Sequence, residues 1–196
     1  HSILWIARMA LKMRCGVSLP RPEYNKMMKD LIAALKANGP RIKPKVRLLY
    51  TGGHADNPEF FDLLQQNDAH VVSDNTGFGT RAADVLIRED GDPLEAIIDY
   101  YFEEKPAATR QMGTQVERME RLLDLVKQYK ADGVVASRLY MCDLWAFEHF
   151  LMRKRLHENN VPFLELEVDY TPEGQGQIKT RVQAFVESLA DRQTAS

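Results

Sequence analysis

The chain has 196 residues, 44% hydrophobic and 28% charged, a balance that excludes a disordered or collagen-like polymer. Twenty-six Lys and Arg against 28 Asp and Glu leave a formal net charge of -2, so no basic excess points to nucleic acid or an anionic membrane. The only two cysteines, Cys15 and Cys142, cannot alone complete a four-cysteine zinc site or an iron–sulfur cluster, and a reducing cytoplasm is the simpler setting.

The opening His-Ser, with no Met, reads as a trimmed, tagged or partial chain. Ser2–Met13 is a first candidate helix; Arg8 and Lys12 interrupt its apolar run, far short of the roughly 18 residues that span a bilayer. Pro20 and Pro22 mark a break and a new start. Glu23–Ala37 follows, with Met27, Met28, Leu31, Ile32 and Leu35 at helical spacing, and Asn38-Gly39-Pro40 stops it. Arg41–Lys45 is a basic linker.

Beyond it, strands alternate with helices. Val46–Tyr50 is a short apolar strand ended by Thr51-Gly52-Gly53, and Asn57-Pro58 starts the helix Glu59–Asn67. His70–Ser73 is a second strand, and Phe78–Arg88 is predicted helical. Asp92 caps a helix over Pro93–Glu104, with Leu94, Ile97, Ile98 and Tyr101 on the stripe expected to be buried. A longer helix covers about Gln115–Lys130. Gly133–Ala136 is a third strand, Asp143 caps Leu144–His157, Pro162–Val168 is a fourth strand, and Ile178–Leu189 is the last helix. Such alternation predicts an α/β fold: a Rossmann-like open parallel sheet of about four strands, helices on both faces, preceded by a helical segment.

In such a sheet, ligands bind beyond the carboxyl ends of the strands. Four loops reach that edge: Thr51–Asn57, Asp74–Gly79, Ser137–Asp143 and Asp169–Gln177, each rich in Gly, polar side chains or sulfur. Gly52-Gly53 and Gly77-Phe78-Gly79 bring backbone N–H groups close to an anion, or simply make tight βα turns; neither matches a dinucleotide or phosphate-loop fingerprint. Cys142 is a thiolate ligand or nucleophile at a helix start, or a small buried hydrophobe. Cys15 reads as structural. His54 sits in a ligand-side loop. His149 and His157 lie on one helix but are not spaced i, i+4, so there is no zinc-type cluster. Glu165 and Glu167 alternate with Leu164, Leu166 and Val168, which fits an edge strand or a solvated face.

The segments Thr51-Gly52, Val71–Arg81, Asp92-Pro93-Leu94, Asp132–Val135, Met141-Cys142-Asp143, Pro162–Asp169, Gly176-Gln177 and Thr180–Glu187 resemble, in order, the B-type subunits of 2-hydroxyacyl-CoA dehydratases and the related ATP-dependent benzoyl-CoA reductases. The likeness covers roughly residues 45–190. It implies two α/β lobes plus helices, of which residues 45–192 are the C-terminal Rossmann-like lobe. Residues 1–40 are then a helical segment leading from an N-terminal lobe. It also implies a 4Fe-4S cluster beside an acyl-CoA thioester, a paralogous partner subunit, and an ATP-dependent iron–sulfur activator protein that injects one low-potential electron. In the dehydratases the substrate becomes a ketyl radical anion and expels its 2-hydroxyl; in the reductases electrons enter an aromatic ring.

Carried onto this sequence, Cys142 matches the C-terminal cluster cysteine, while Gly77 stands where the motif has another cysteine. Thr51, Gly52, Asp74, Arg81, Gln177, Thr180 and Arg181 fall at the implied substrate-binding positions. The expected setting is cytoplasmic, with no nucleic acid and no membrane partner, and the isolated chain is expected to be inactive. Two alternatives stay open: a cluster-less structural or acyl-CoA-binding family member, and a generic Rossmann-like nucleotide-binding module.

Overall fold

A computed structural model describes residues 19–38, 43–53, 58–65, 68–77, 79–82, 84–169 and 175–194. The predicted helix Ser2–Met13, Cys15 and His54 lie outside the described residues. The elements in chain order are α1 (Arg21–Asn38), β1 (Val46–Gly52), α2 (Pro58–Leu64), β2 (Ala69–Asn75), α3 (Pro93–Asp99), α4 (Gln115–Gln128), β3 (Gly133–Leu139), α5 (Asp143–Glu158), β4 (Phe163–Val168) and α6 (Gln175–Thr194). The four strands form one all-parallel sheet in the order β2-β1-β3-β4, as the alternation of elements predicts. The chain runs outward from β1 to β2, then crosses back over β1 to β3. The switch in direction therefore falls between β1 and β3, where ligand crevices form in open α/β sheets.

Both faces are covered, which is why β1 and β3 read as near-continuous apolar runs. On one face Val46, Leu48, Tyr50 and Val135 pack with Phe60 and Leu64 of α2 and with Val182, Val186 and Leu189 of α6. On the other, Leu49, Val134 and Ala136 meet Met119, Leu122, Leu123 and Val126 of α4 and Met152 and Leu156 of α5. Leu48, Leu49, Leu64, Leu122, Leu156 and Leu166 are each fully buried, contributing about 1.5–3 kcal/mol apiece. β4 is an edge strand, in keeping with its alternating carboxylates: Glu165 and Glu167 pair with Arg138, and Glu165 also with Arg153.

The structure corrects four local expectations. Phe78–Arg88 is not a helix; the described part is a single 3-10 turn, Thr80–Ala82, followed by irregular chain. The Asp74 carboxylate accepts the Thr80 amide, so this segment is anchored to the end of β2 and not to a helical ladder of its own. The N-cap of α5 is Cys142, with Asp143 its first helical residue, because Met141 in the left-handed region (φ 61) turns the chain one residue earlier. α6 begins at Gln175 and runs through Thr194, longer at both ends than its apolar spacing shows.

The fourth correction concerns α3. Asp92 caps it as predicted, accepting the Leu94 and Glu95 amides at 2.8 and 3.0 Å. The helix then widens into a π-turn over Tyr100–Glu104. Its expected buried stripe is outward: Leu94, Ile97, Ile98 and Tyr101 are exposed, while Ala96 and Tyr100 face in. Apolar periodicity marks a face that avoids water but does not name what covers it. No described helix is long and apolar enough to cross a membrane.

Candidate functional site at the carboxyl edge of the sheet

At the switch point, β1 and β3 approach so closely that only glycine fits. A Cβ on Gly52 would lie 2.1 Å from the Ser137 carbonyl oxygen, and its φ of 128° is a region that favours glycine. The Gly53 amide donates to that same carbonyl at 2.9 Å. Just below, the Tyr50 hydroxyl shares a short hydrogen bond with the Ser137 hydroxyl. Burial pushes the Tyr50 phenol up, so it stays protonated. Gly52 is thus committed to the strand crossing.

The loop after β2 is built around Asp74. Its carboxylate accepts the Thr76 amide at 2.9 Å and the Thr76 hydroxyl at 2.6 Å, then the Thr80 amide and hydroxyl. A Cβ on Gly79 would collide with Asp74 at 1.9 Å, so glycine is required for the carboxylate to close the loop. This arrangement spends the oxygens of Asp74 on loop geometry and places Arg81 at the end of the turn. Arg81 is half-buried. Burial, then the nearby Arg121 and Arg118 guanidiniums, press its pKa below the ordinary arginine value, with Glu148 and Asp74 opposing.

Beneath Thr51, on the α4/α5 face, lies the charged core of this edge. Arg118 of α4 and Glu148 of α5 are both buried and form a two-pronged pair at 2.8 Å on each prong. Arg118 also donates to Gln111 O at 3.1 Å and to Thr114 Oγ1, tying the segment after α3 to the core. Arg121 reaches Asn75 Oδ1 at the end of β2 and pairs with Asp84. Sequence reading missed Arg118, Arg121, Asn75 and Glu148. One signal was available: Arg118 lies one helical turn from Leu122, and Glu148 one turn from Met152, so each is a charge on an apolar stripe.

Cys142 ends the β3 turn as a free, partly exposed thiol beside exposed Tyr140 and Met141. Among the described residues no group of three or more His, Cys, Asp or Glu is placed to hold a metal ion. A cluster bound by the described residues alone is therefore not a fit. Gly77, in the Asp74 loop, offers no ligand atom.

Gln177, Thr180 and Arg181 open α6, which covers the opposite face from α4 and α5. Thr180 Oγ1 donates to Gly176 O at 3.0 Å, and Arg181 Nη2 donates to Glu165 O of the edge strand at 2.7 Å. Of the residues singled out in the sequence, the structure groups Thr51, Gly52, Asp74 and Arg81 around the ends of β1 and β2. It places Cys142 at the end of β3. Gln177, Thr180 and Arg181 stand apart from Arg81, across the sheet.

The family model described as 2-hydroxyglutaryl-CoA dehydratase, D-component, matches residues 2–189. The chain is 30% identical over 156 residues to the "Putative dehydratase subunit YjiM" of Escherichia coli (strain K12), covering 77% of this chain and 39% of that protein. It is 24% identical over 181 residues to the (R)-phenyllactyl-CoA dehydratase beta subunit of Clostridium sporogenes, covering 90% of this chain and 47% of that protein. It is 23% identical over 182 residues to a benzoyl-CoA reductase subunit of Thauera aromatica, covering 91% of this chain and 47% of that protein. The chain thus spans less than half the length of these relatives. It belongs to the 2-hydroxyglutaryl-CoA dehydratase D-component family, whose relatives here are subunits of 2-hydroxyacyl-CoA dehydratases and benzoyl-CoA reductase.

Proposed function

We propose that this chain is the C-terminal lobe of a subunit that handles an acyl-CoA thioester in a cytoplasmic dehydratase or reductase complex. Residues 1–40 then connect it to the N-terminal lobe. Its carboxyl edge faces the thioester, with Thr51, Gly52, Asp74 and Arg81 on one side of the sheet and Gln177, Thr180 and Arg181 on the other. Gly52 and Asp74 serve by shaping that edge, since their own contacts are internal. The partners are a paralogous subunit and an ATP-dependent iron–sulfur activator. The observation that carries this reading is the family match across residues 2–189, on a sheet whose four strands run parallel and so end at one edge.

Where a 4Fe-4S cluster is bound, Cys142 is the described residue that would hold it through a thiolate, and the cluster would supply low-potential electron transfer. Gly77 supports a second reading, a cluster-less family member with a structural or acyl-CoA-binding role. Anaerobic co-production with the partner subunit and activator tests both. The expected result is dehydration or ring reduction of an acyl-CoA by the assembled complex, none by this chain alone, and loss of iron on Cys142→Ala. A complex without iron that still binds acyl-CoA supports the second reading; turnover by the isolated chain refutes the first.

A further inference from the structure

Below the ends of β1 and β2, between the sheet and helices α4 and α5, is a small cavity of about 10 Å³, room for one water-sized atom. Among the polar side chains of its wall are Thr51, Asn75, Arg81, Arg118, Arg121 and Glu148. These groups are unequally satisfied. Arg118 and Glu148 saturate each other. The Thr51 hydroxyl is fully buried, at 0% exposure, with no hydrogen-bond partner among the described residues. Arg121 gives one terminal nitrogen to Asp84 and keeps the other, Nη2, buried and unpartnered among the described residues. Arg81 makes no hydrogen bond or ion pair with any described residue; two other guanidiniums crowd it, and the Glu148 and Asp74 carboxylates act on it without direct contact.

A buried donor left without an acceptor costs free energy, and a partly buried cation beside like charges costs more. Two of the unmet groups here are cations that can only donate, and the third is a hydroxyl that can donate. What the site lacks is an acceptor, and one that carries negative charge.

We propose that this cavity is an oxyanion seat, into which one oxygen of a carboxylate or phosphate inserts, accepting from Thr51 Oγ1 and Arg121 Nη2, with Arg81 as its counter-charge. The volume admits one oxygen atom, so the ligand enters by its tip and the rest of it stays outside. Water in the same place would meet the hydrogen bonds but leave a wall of three guanidiniums, Arg81, Arg118 and Arg121, facing the single carboxylate of Glu148. The seat stands on these contacts alone, whatever reaction the chain serves. Within the proposed acyl-CoA reading, it selects for substrates or cofactor parts that present a second anionic group.

The test is anion titration of the full chain, followed by thermal unfolding and by calorimetry at fixed ionic strength with chloride as the reference salt. Inorganic phosphate, glutarate and coenzyme A are the probes. A saturable stabilisation by phosphate and coenzyme A assigns the seat to a phosphate, and one by glutarate alone assigns it to a carboxylate. Thr51→Val and Arg81→Gln remove no existing hydrogen bond between described residues, so both should fold with midpoints at or above the parent's while weakening the anion about 10-fold or more. If none of the three probes stabilises the chain beyond chloride, the seat is a water site only and the proposal fails. It fails equally if both variants bind as the parent does. Because these readouts need no turnover, an inactive complex overturns the proposed function without touching the seat.

Discussion

Replacing Glu148 by alanine removes one half of the most deeply buried ion pair among the described residues. Arg118 and Glu148 are 8% and 4% exposed at their side chains, and both prongs of the pair measure 2.8 Å. Without the carboxylate, Arg118 keeps only Gln111 O, Thr114 Oγ1 and a long contact to Ala108 O, and its charge stays buried. Breaking such a pair from one side costs about 3–5 kcal/mol. Against a typical total of about 5–15 kcal/mol, that is a large share of the fold's stability. In a chain of this size it corresponds to a fall in melting temperature of about 6–20 °C. Urea unfolding followed by far-UV circular dichroism reads the midpoint and the slope together. The paired substitution Arg118→Met with Glu148→Leu removes both charges and should recover much of the loss, because the pair's own desolvation cost disappears with it. A Glu148→Ala loss below about 1 kcal/mol, the range of an exposed pair, would refute the assignment of this contact as a buried link between α4 and α5.

Three further outcomes are expected. Gly52→Ala should cost about 1–3 kcal/mol in backbone strain alone, and more from the contact with Ser137 O, so little folded protein should be recovered; normal yield and midpoint would contradict the close crossing of β1 and β3. Asp92→Ala should cost about 1 kcal/mol, read from the urea midpoint, through loss of the two amide bonds that start α3. His149 is fully buried, and burial lowers its pKa from 6.5 despite the nearby Glu165. A lowered folded value means the unfolded chain binds the proton more readily, so this contribution is present above pH 6.5 and is lost as the pH falls below it. Melting temperatures should drop across that window in the parent and stay flatter in His149→Phe; identical slopes would sink the account.

How far the sequence disclosed the fold depends on which side of each element is burdened. β1 and β3 are buried on both faces, and their unbroken apolar runs declare strands in a covered parallel sheet. The carboxylates of β4 declare an edge, where the structure puts them. Phe78–Arg88 misleads because its Thr80 amide is claimed by a side chain outside the segment, and no local pattern shows that Asp74 will reach forward to Thr80. The stripe of α3 misleads differently: its spacing is truly amphipathic, but the helix turns Ala96 and Tyr100 inward and leaves Leu94 and Ile98 in solvent.

For the site, glycines and Cys142 drew attention because they are rare and sit after strands. The structure gives Gly52 and Gly79 steric work, and shifts the electrostatic weight to arginines in an otherwise ordinary helix. Arg118 and Arg121 are three residues apart on α4, so both point to the same side, and the sequence marks only Arg118, as a charge on an apolar stripe. Only when Arg81 arrives from the end of β2, and Asn75 and Thr51 from the strand ends, does the cavity wall hold three guanidiniums against the single carboxylate of Glu148. Glu148 is held by Arg118, Asp84 by Arg121, and Asp74 by the loop amides and hydroxyls it organises. Among the described residues of this cluster Arg81 is the cation without a direct hydrogen bond or ion pair to another described residue, and it lies on the edge of the sheet where open α/β folds bind their ligands. A long-range imbalance of this kind exists only in three dimensions, which is why it escapes any reading of motifs along the chain.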